Sequence, residues 1–292
     1  MRDRLRVWAT ILAALFQIVV PVLGYAGVVG RTTGAEFQTA KTPLVPAAYA
    51  FSLWSVIFAA CLIYAWDQAR PSRRARDVYR RVGWPMALAM AVNGGWSLFA
   101  QLERPLMVLF GIFLVGVAAS LLAALRLFRD TPKVDIPGSA GAATGLLAGW
   151  VSVAIFANLS VALADLGYGE TPSRVVQALV LLSAAGALAC AVVRWTRGAL
   201  TYAAAVAWAL IALIVAHLTR EAAPLWAVAT GAWLVAIIAT TIVSRRRSFG
   251  PAALRGLTPA SALAEQAACA RMAWRGVAPR DAPIRSARRG AQ

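Results

Sequence analysis

The sequence predicts an all-α integral membrane protein with eight transmembrane spans. Three observations predict it. Of the 292 residues 60% are apolar and only 14% charged, with a mean hydropathy of +0.67, whereas soluble globular chains sit nearer a quarter charged. The apolar residues gather in eight runs, most without an ionisable residue inside, and about 20 such residues cross a hydrocarbon core. Lysine and arginine number 29 against 12 acidic residues, and they are distributed unevenly among the segments between those runs. A soluble protein would not carry eight such runs, because its helices are apolar on one face only. The apolar content excludes disorder for the bulk of the chain. Three cysteines are too few for a disulfide scaffold. With a single histidine they also leave little material for a metal site, and no cofactor is expected.

The runs cover residues 7–29, 48–66, 82–100, 105–127, 142–163, 175–193, 200–217 and 223–243. The first follows Arg2, Arg4 and Arg6, as a signal peptide would. Its apolar stretch of about 23 residues exceeds the ~7–15 of a signal core, so a retained helix is expected. Residues 30–47 form a long polar loop, which reads equally as a binding lid or a plain connector. The arginine cluster at 67–81 reads as a topology anchor that touches anionic lipid. Gly141, Gly145 and Gly149, four apart on the fifth run, predict close helix packing. Only residues 194–199 separate the sixth run from the seventh.

An even number of spans puts both ends of the chain on one side. That side carries 24 of the 29 basic residues, the other only Arg31, Lys41, Arg104, Arg174 and Arg220. Basic loops stay in the cytoplasm, so both termini are expected there, in a bacterial plasma (inner) membrane. The net charge of +17 is thus a topology signal. No nucleic-acid-binding motif accompanies it, and no nucleic-acid partner is expected. The expected organisation is a five-helix domain over 1–166, three further helices over 167–244 and a basic cytoplasmic tail over 245–292. The tail is largely disordered on this reading, with room for a short membrane-surface helix at 259–274.

The chemistry-bearing feature is aromatic. Trp8, Trp66, Trp84 and Trp195 fall near the inner interface and Trp226 near the outer one, as an aromatic belt requires. Trp54, Trp96, Trp150, Trp208 and Trp233 lie within spans, where lipid anchoring does not explain them. Trp54 and Phe58 share a helix face at i,i+4, Asn93 and Trp96 at i,i+3, and Trp150, Ala154 and Asn158 form an i,i+4,i+8 stripe. An amide in hydrocarbon is costly unless paired. The amides therefore line a pocket or join helix to helix. Alternating direction places Trp54, Trp96 and Asn158 in the outer half of the bilayer, and Trp150 deeper, roughly 20 Å from the outer end of its span at 1.5 Å per residue.

In order and spacing, Pro46…Trp54…Phe58, Asn93-x-x-Trp96 and Trp150…Ala154…Asn158 resemble the TspO/translocator protein family, also called tryptophan-rich sensory proteins. The five-span core, about 7–164, is similar in layout. The resemblance implies a five-helix bundle with a ligand cavity near the loop after the first helix. It implies a hydrophobic small-molecule partner (a tetrapyrrole, sterol or isoprenoid), the lipid bilayer and a homodimer. It also implies that Trp54, Phe58, Asn93, Trp96, Trp150, Ala154 and Asn158 line the cavity. The tryptophans would stack on a ligand, the amides would hydrogen-bond it and Ala154 would leave it room. The chain departs from the family in three places. Phe58 stands where a tyrosine is frequent, Ala47 and Ala48 replace bulkier residues, and three spans follow the fifth; these could pack on the bundle and replace its dimer face.

The expected function is a membrane sensor or carrier for a flat hydrophobic ligand. The alternatives are an exporter that uses all eight spans and an enzyme acting on an isoprenoid or tetrapyrrole. No span carries a central ionisable residue, which counts against ion-coupled transport and against catalysis. No nucleophile–base set can be assembled, so binding is favoured over catalysis and no catalytic residue is assigned. His217, near the end of the seventh span, reads as interfacial. Leu166, Tyr168 and Arg174 fit a sterol-contact pattern that arises readily by chance. Cys61, Cys190 and Cys269 read as packing residues.

Overall fold

The computed structural model describes residues 1–30, 42–167, 173–220 and 223–249. Most of the loop 30–47, Tyr168 of the sterol-type pattern, and the tail with its 259–274 helix lie outside the described residues.

Every regular element among the described residues is helical. Eight long helices follow the eight apolar runs: α1 (Arg2–Tyr25), α2 (Leu53–Ala69), α3 (Asp77–Gln101), α4 (Leu106–Phe128), α5 (Gly138–Asp165), α6 (Ser173–Trp195), α7 (Leu200–Thr219) and α8 (Pro224–Phe249). A short 3₁₀ turn, Ala48–Ser52, leads into α2, and another, Lys133–Asp135, lies between α4 and α5. Seven of the eight are long and apolar enough to cross a membrane. The remaining one, α3, has 25 residues; it is long enough, but Asn93, Gly94, Gly95 and Ser97 lower its hydropathy. Helix is the form a membrane span takes, because lipid offers no partner to a backbone amide. The large apolar side chains that remain exposed, such as Leu12, Ile63, Leu88, Leu114 and Val180, sit on the outer faces of these helices. Shed into lipid rather than water, such faces need no further cover. The chain is an integral membrane protein.

Residues Met1–Arg245 form one compact unit, and the expected boundary near residue 166 lies inside it. A second unit, Arg246–Gln292, is described only in the last residues of α8. Within the first unit five helices close a ring. In that ring α1 meets α3, α3 meets α4, α4 meets α5, α5 meets α2, and α2 returns to α1. Helix α5 also borders α6 and α7, and it is the most buried of the seven apolar spans.

Glycine sets the closest approaches. A methyl group on Gly149 would lie 2.5 Å from the Tyr202 carbonyl oxygen, and one on Gly145 would collide with Thr201. The α5 glycines thus admit the backbone of α7. Beside them Ser152 and Tyr202 share a 2.8 Å hydrogen bond, and Thr201 donates to the Gly141 carbonyl at 2.8 Å. On α8, Trp233 packs on Gly186 of α6. The break between α6 and α7 is sharp because Arg197 and Gly198 both take the left-handed conformation, at φ 56° and 74°. The Gly198 amide then closes back on the Val193 carbonyl at 2.8 Å.

The arginine-rich end of the bundle is more deeply structured than a lipid anchor requires. Arg6 is 2% exposed. Its guanidinium donates to Gln68 and to the Tyr79 carbonyl at 2.8 Å, and to the Arg74 carbonyl at 2.5 Å. Asp67 accepts from Tyr79 at 2.5 Å, from Ser139 at 2.6 Å and from Arg73. The cluster at 67–81, expected to anchor the chain to lipid, therefore also ties α1, α2, α3 and α5 together. Arg197 caps α4 by donating to the carbonyls of Phe128 and Thr131. Lys133 donates to the Arg197 carbonyl at 3.2 Å. Its pKa is lowered by burial, with Arg245 and Arg197 adding charge repulsion.

Candidate functional site

At the opposite end of the bundle two cavities adjoin. The larger, about 350 Å³, lies among α1, α2 and α3. The smaller, about 90 Å³, lies among α2, α5, α6 and α7. Pro46, Phe51, Trp54 and Trp96 line both, so these four side chains form the partition.

All seven residues singled out from the sequence are found here. Trp54 and Trp96 stand in the partition, Phe58 and Asn93 line the larger cavity, and Trp150, Ala154 and Asn158 line the smaller. Trp54 stacks on Phe58 at 5.4 Å, ring to ring, and meets Trp150 edge-on at 6.1 Å. Phe51 also meets Trp150 edge-on, at 6.0 Å, and Trp96 packs on Phe113 of α4 at 5.5 Å. The i,i+4 spacing on α2 and the ring closure of α2 onto α5 together build this aromatic wall. Trp150 is buried at its base.

The amides divide their work. Asn158 donates to the carbonyl of Ala154, one turn back on its own helix, at 3.0 Å. Asn93 donates to Gln17 of α1 at 3.3 Å, while its own carbonyl oxygen is buried without a partner among the described residues. The indole N–H of Trp96 is likewise buried and unpaired. Of the two amides, only Asn93 joins helix to helix among the described residues. A buried donor and acceptor left unpaired cost about 1–3 kcal/mol each, which a ligand carrying the complementary atoms would recover.

Sequence reasoning missed the contribution of α6 and α7. Leu182, Ala185 and Gly186 of α6 and Val206, Ala209, Leu210 and Leu213 of α7 wall the smaller cavity. Their i,i+3,i+4 spacing was the available signal, but helices apolar on every side do not reveal which face turns inward. Helix α7 also holds the segment that leads into α2. The Ala47 amide donates to the Ala212 carbonyl at 3.1 Å, the Trp208 indole to the Ala50 carbonyl at 3.0 Å and Arg220 to the Val45 carbonyl at 2.5 Å. This gives Trp208 a structural reason to sit within its span.

His217 is fully buried, and Trp226 stacks on it at 5.7 Å. Trp8, Trp66, Trp84 and Trp195 are 48–66% exposed, as a lipid belt demands.

Fold and site define a polytopic helical membrane protein with an aromatic cavity framed by a five-helix ring and sealed by helices packed on its fifth member. The chain belongs to the TSPO-like protein family, whose model matches residues 7–244. That match runs through α6 and α7 and into α8, so the three C-terminal helices fall within it. No curated protein and no solved structure matches the chain.

Proposed function

We propose that the protein is a membrane sensor or carrier that holds a flat hydrophobic ligand, a tetrapyrrole or a molecule of similar shape, between α2, α3 and α5. The observation that carries the reading is the aromatic wall of Phe58, Trp54, Trp150 and Phe51 along two adjoining cavities. Large rings offer stacking surface without needing a polar partner. The unpaired Trp96 N–H and Asn93 oxygen add a few polar fixings in an otherwise apolar lining, which is the usual make-up of a small-molecule pocket. Ligand reaches the site from the outer half of the bilayer, with both termini in the cytoplasm.

Protoporphyrin titrated into detergent-purified protein, followed by tryptophan quenching, tests this. The expected result is saturable quenching, with affinity at least about tenfold weaker in Trp54→Ala and Trp150→Ala, the scale of one lost aromatic contact. Quenching that never saturates, or an affinity untouched by both substitutions, rejects the proposal.

A further inference from the structure

At the arginine-rich end of the bundle, away from the cavities, three basic residues converge from separate segments. Lys133 comes from the turn between α4 and α5, Arg197 from the turn between α6 and α7, and Arg245 from the last part of α8. All three are half-buried. Backbone carbonyls hold them in place. Arg197 donates to Phe128 and Thr131, Lys133 to Arg197 at 3.2 Å, and Arg245 to Gly198 at 3.5 Å. The stem of Arg245 also lies on Gly198, where an added methyl group would come within 2.6 Å of it. Such bonds set positions but bring no full negative charge, and between half-buried groups like charges are poorly screened. Lys133 registers the result: burial disfavours its charged form, and Arg245 and Arg197 add repulsion. Arg197 has donors to spare. Its Nε and Nη2 are spent on the two carbonyls, while Nη1 donates to no group among the described residues.

From this convergence we infer that the corner formed by Lys133, Arg197 and Arg245 is a phosphate site, filled by the headgroup of an anionic phospholipid or by free phosphate. A phosphate presents several acceptor oxygens, so one anion can meet the Lys133 ammonium, the Nη1 edge of Arg197 and the Arg245 guanidinium together. Basic pockets between membrane helices bind lipid headgroups in this way on the cytoplasmic side, the side proposed for this end of the bundle. The site is separate from the cluster at 67–81, where Arg73 is engaged with Asp67. Arg197 and Arg245 both come from the C-terminal helices, so the anion would staple the α6–α7 turn and α8 to the turn that follows α4.

Thermal unfolding of the full-length protein in neutral detergent tests the inference. The additions are phosphatidylglycerol, phosphatidylcholine, whose choline cancels the phosphate charge, and inorganic phosphate. Two double variants are compared with the wild type: Lys133→Gln with Arg245→Gln, and Arg2→Gln with Arg4→Gln, which removes two exposed charges from the same end. Phosphatidylglycerol or inorganic phosphate is expected to raise the wild-type midpoint by about 2–4 °C more than phosphatidylcholine does. A shift with the lipid alone assigns the site to a headgroup, and one with inorganic phosphate alone assigns it to the free anion. Lys133→Gln with Arg245→Gln is expected to lose at least half of the shift, and Arg2→Gln with Arg4→Gln to keep it. Should the first pair fail to fold, Lys133→Gln alone is expected to lose part of the shift and, relieved of repulsion, to unfold no earlier than the wild type when no anion is added. The inference is overturned if neither anion shifts the wild-type protein beyond phosphatidylcholine. It is overturned equally if the shift survives loss of Lys133 and Arg245, or if it falls as far in the Arg2 and Arg4 variant, because diffuse charge then accounts for it.

Discussion

Arg6 shows what a single residue does in this protein that its position in the sequence conceals. In the sequence it is the third of three N-terminal arginines and reads as a topology mark. In the structure it is buried and gives its protons to Gln68 and to two backbone carbonyls on different segments. Replacing it with alanine strands all three acceptors, and a loss of about 2–4 kcal/mol follows from the cost of unpaired buried groups. Arg6→Lys is expected to recover little, because one ammonium cannot replace a planar fork aimed at several acceptors. Thermal unfolding of the two variants in detergent measures both effects; an unchanged midpoint in Arg6→Ala contradicts them. The aromatic and amide residues were legible for the opposite reason. Trp54, Trp96, Trp150 and Asn158 sit inside apolar runs where neither lipid nor solubility accounts for them, so the sequence alone marks them. Arg6 and Asp67 stand at span ends, where a charge is ordinary, and nothing in the pattern tells a buried charge from a wet one.

At the scale of the helix, the decisive contact is between α5 and α7. Gly149 faces the Tyr202 carbonyl closely enough that a methyl group would lie 2.5 Å away. Backbone does not yield as a side chain does, so Gly149→Ala is expected to destabilise by about 1–3 kcal/mol, the range for overpacking. Gly111 on α4 has open space around its missing side chain. Gly111→Ala is expected to be neutral or to stabilise by about 0.5–1 kcal/mol, through loss of unfolded-state freedom alone. The pair of unfolding midpoints checks the assignment, and a Gly149→Ala protein as stable as Gly111→Ala contradicts it. The spacing of Gly141, Gly145 and Gly149 announced close packing on α5, and eight runs announced eight helices. The partner of those glycines was not legible. Helix α7 is apolar on every side, and in such a helix periodicity no longer separates the packed face from the lipid face.

At the scale of the whole molecule, α6 and α7 complete the wall of a cavity that the first five helices only frame. Seven wall residues of the smaller cavity come from α6 and α7, and α7 fixes the segment before α2 through Ala47, Ala50 and Val45. A chain ended at residue 167 is expected to lose at least tenfold in affinity for protoporphyrin, a loss of about 1.4 kcal/mol or more. Retained affinity in that chain, read by the same quenching titration, would show that α6–α8 play no part in the site. The basic charge and the run lengths made the architecture legible, whereas the shared wall arises from contacts between segments far apart in sequence. The central claim is that a flat ligand occupies the cavity bounded by Trp54, Trp96 and Trp150. An electron cryo-microscopy structure of the protein in lipid nanodiscs with protoporphyrin added tests it most directly. The account predicts planar density against Trp54, framed by α2, α3 and α5; a cavity that stays empty at saturating ligand, or density confined to the lipid-facing surface, would contradict it.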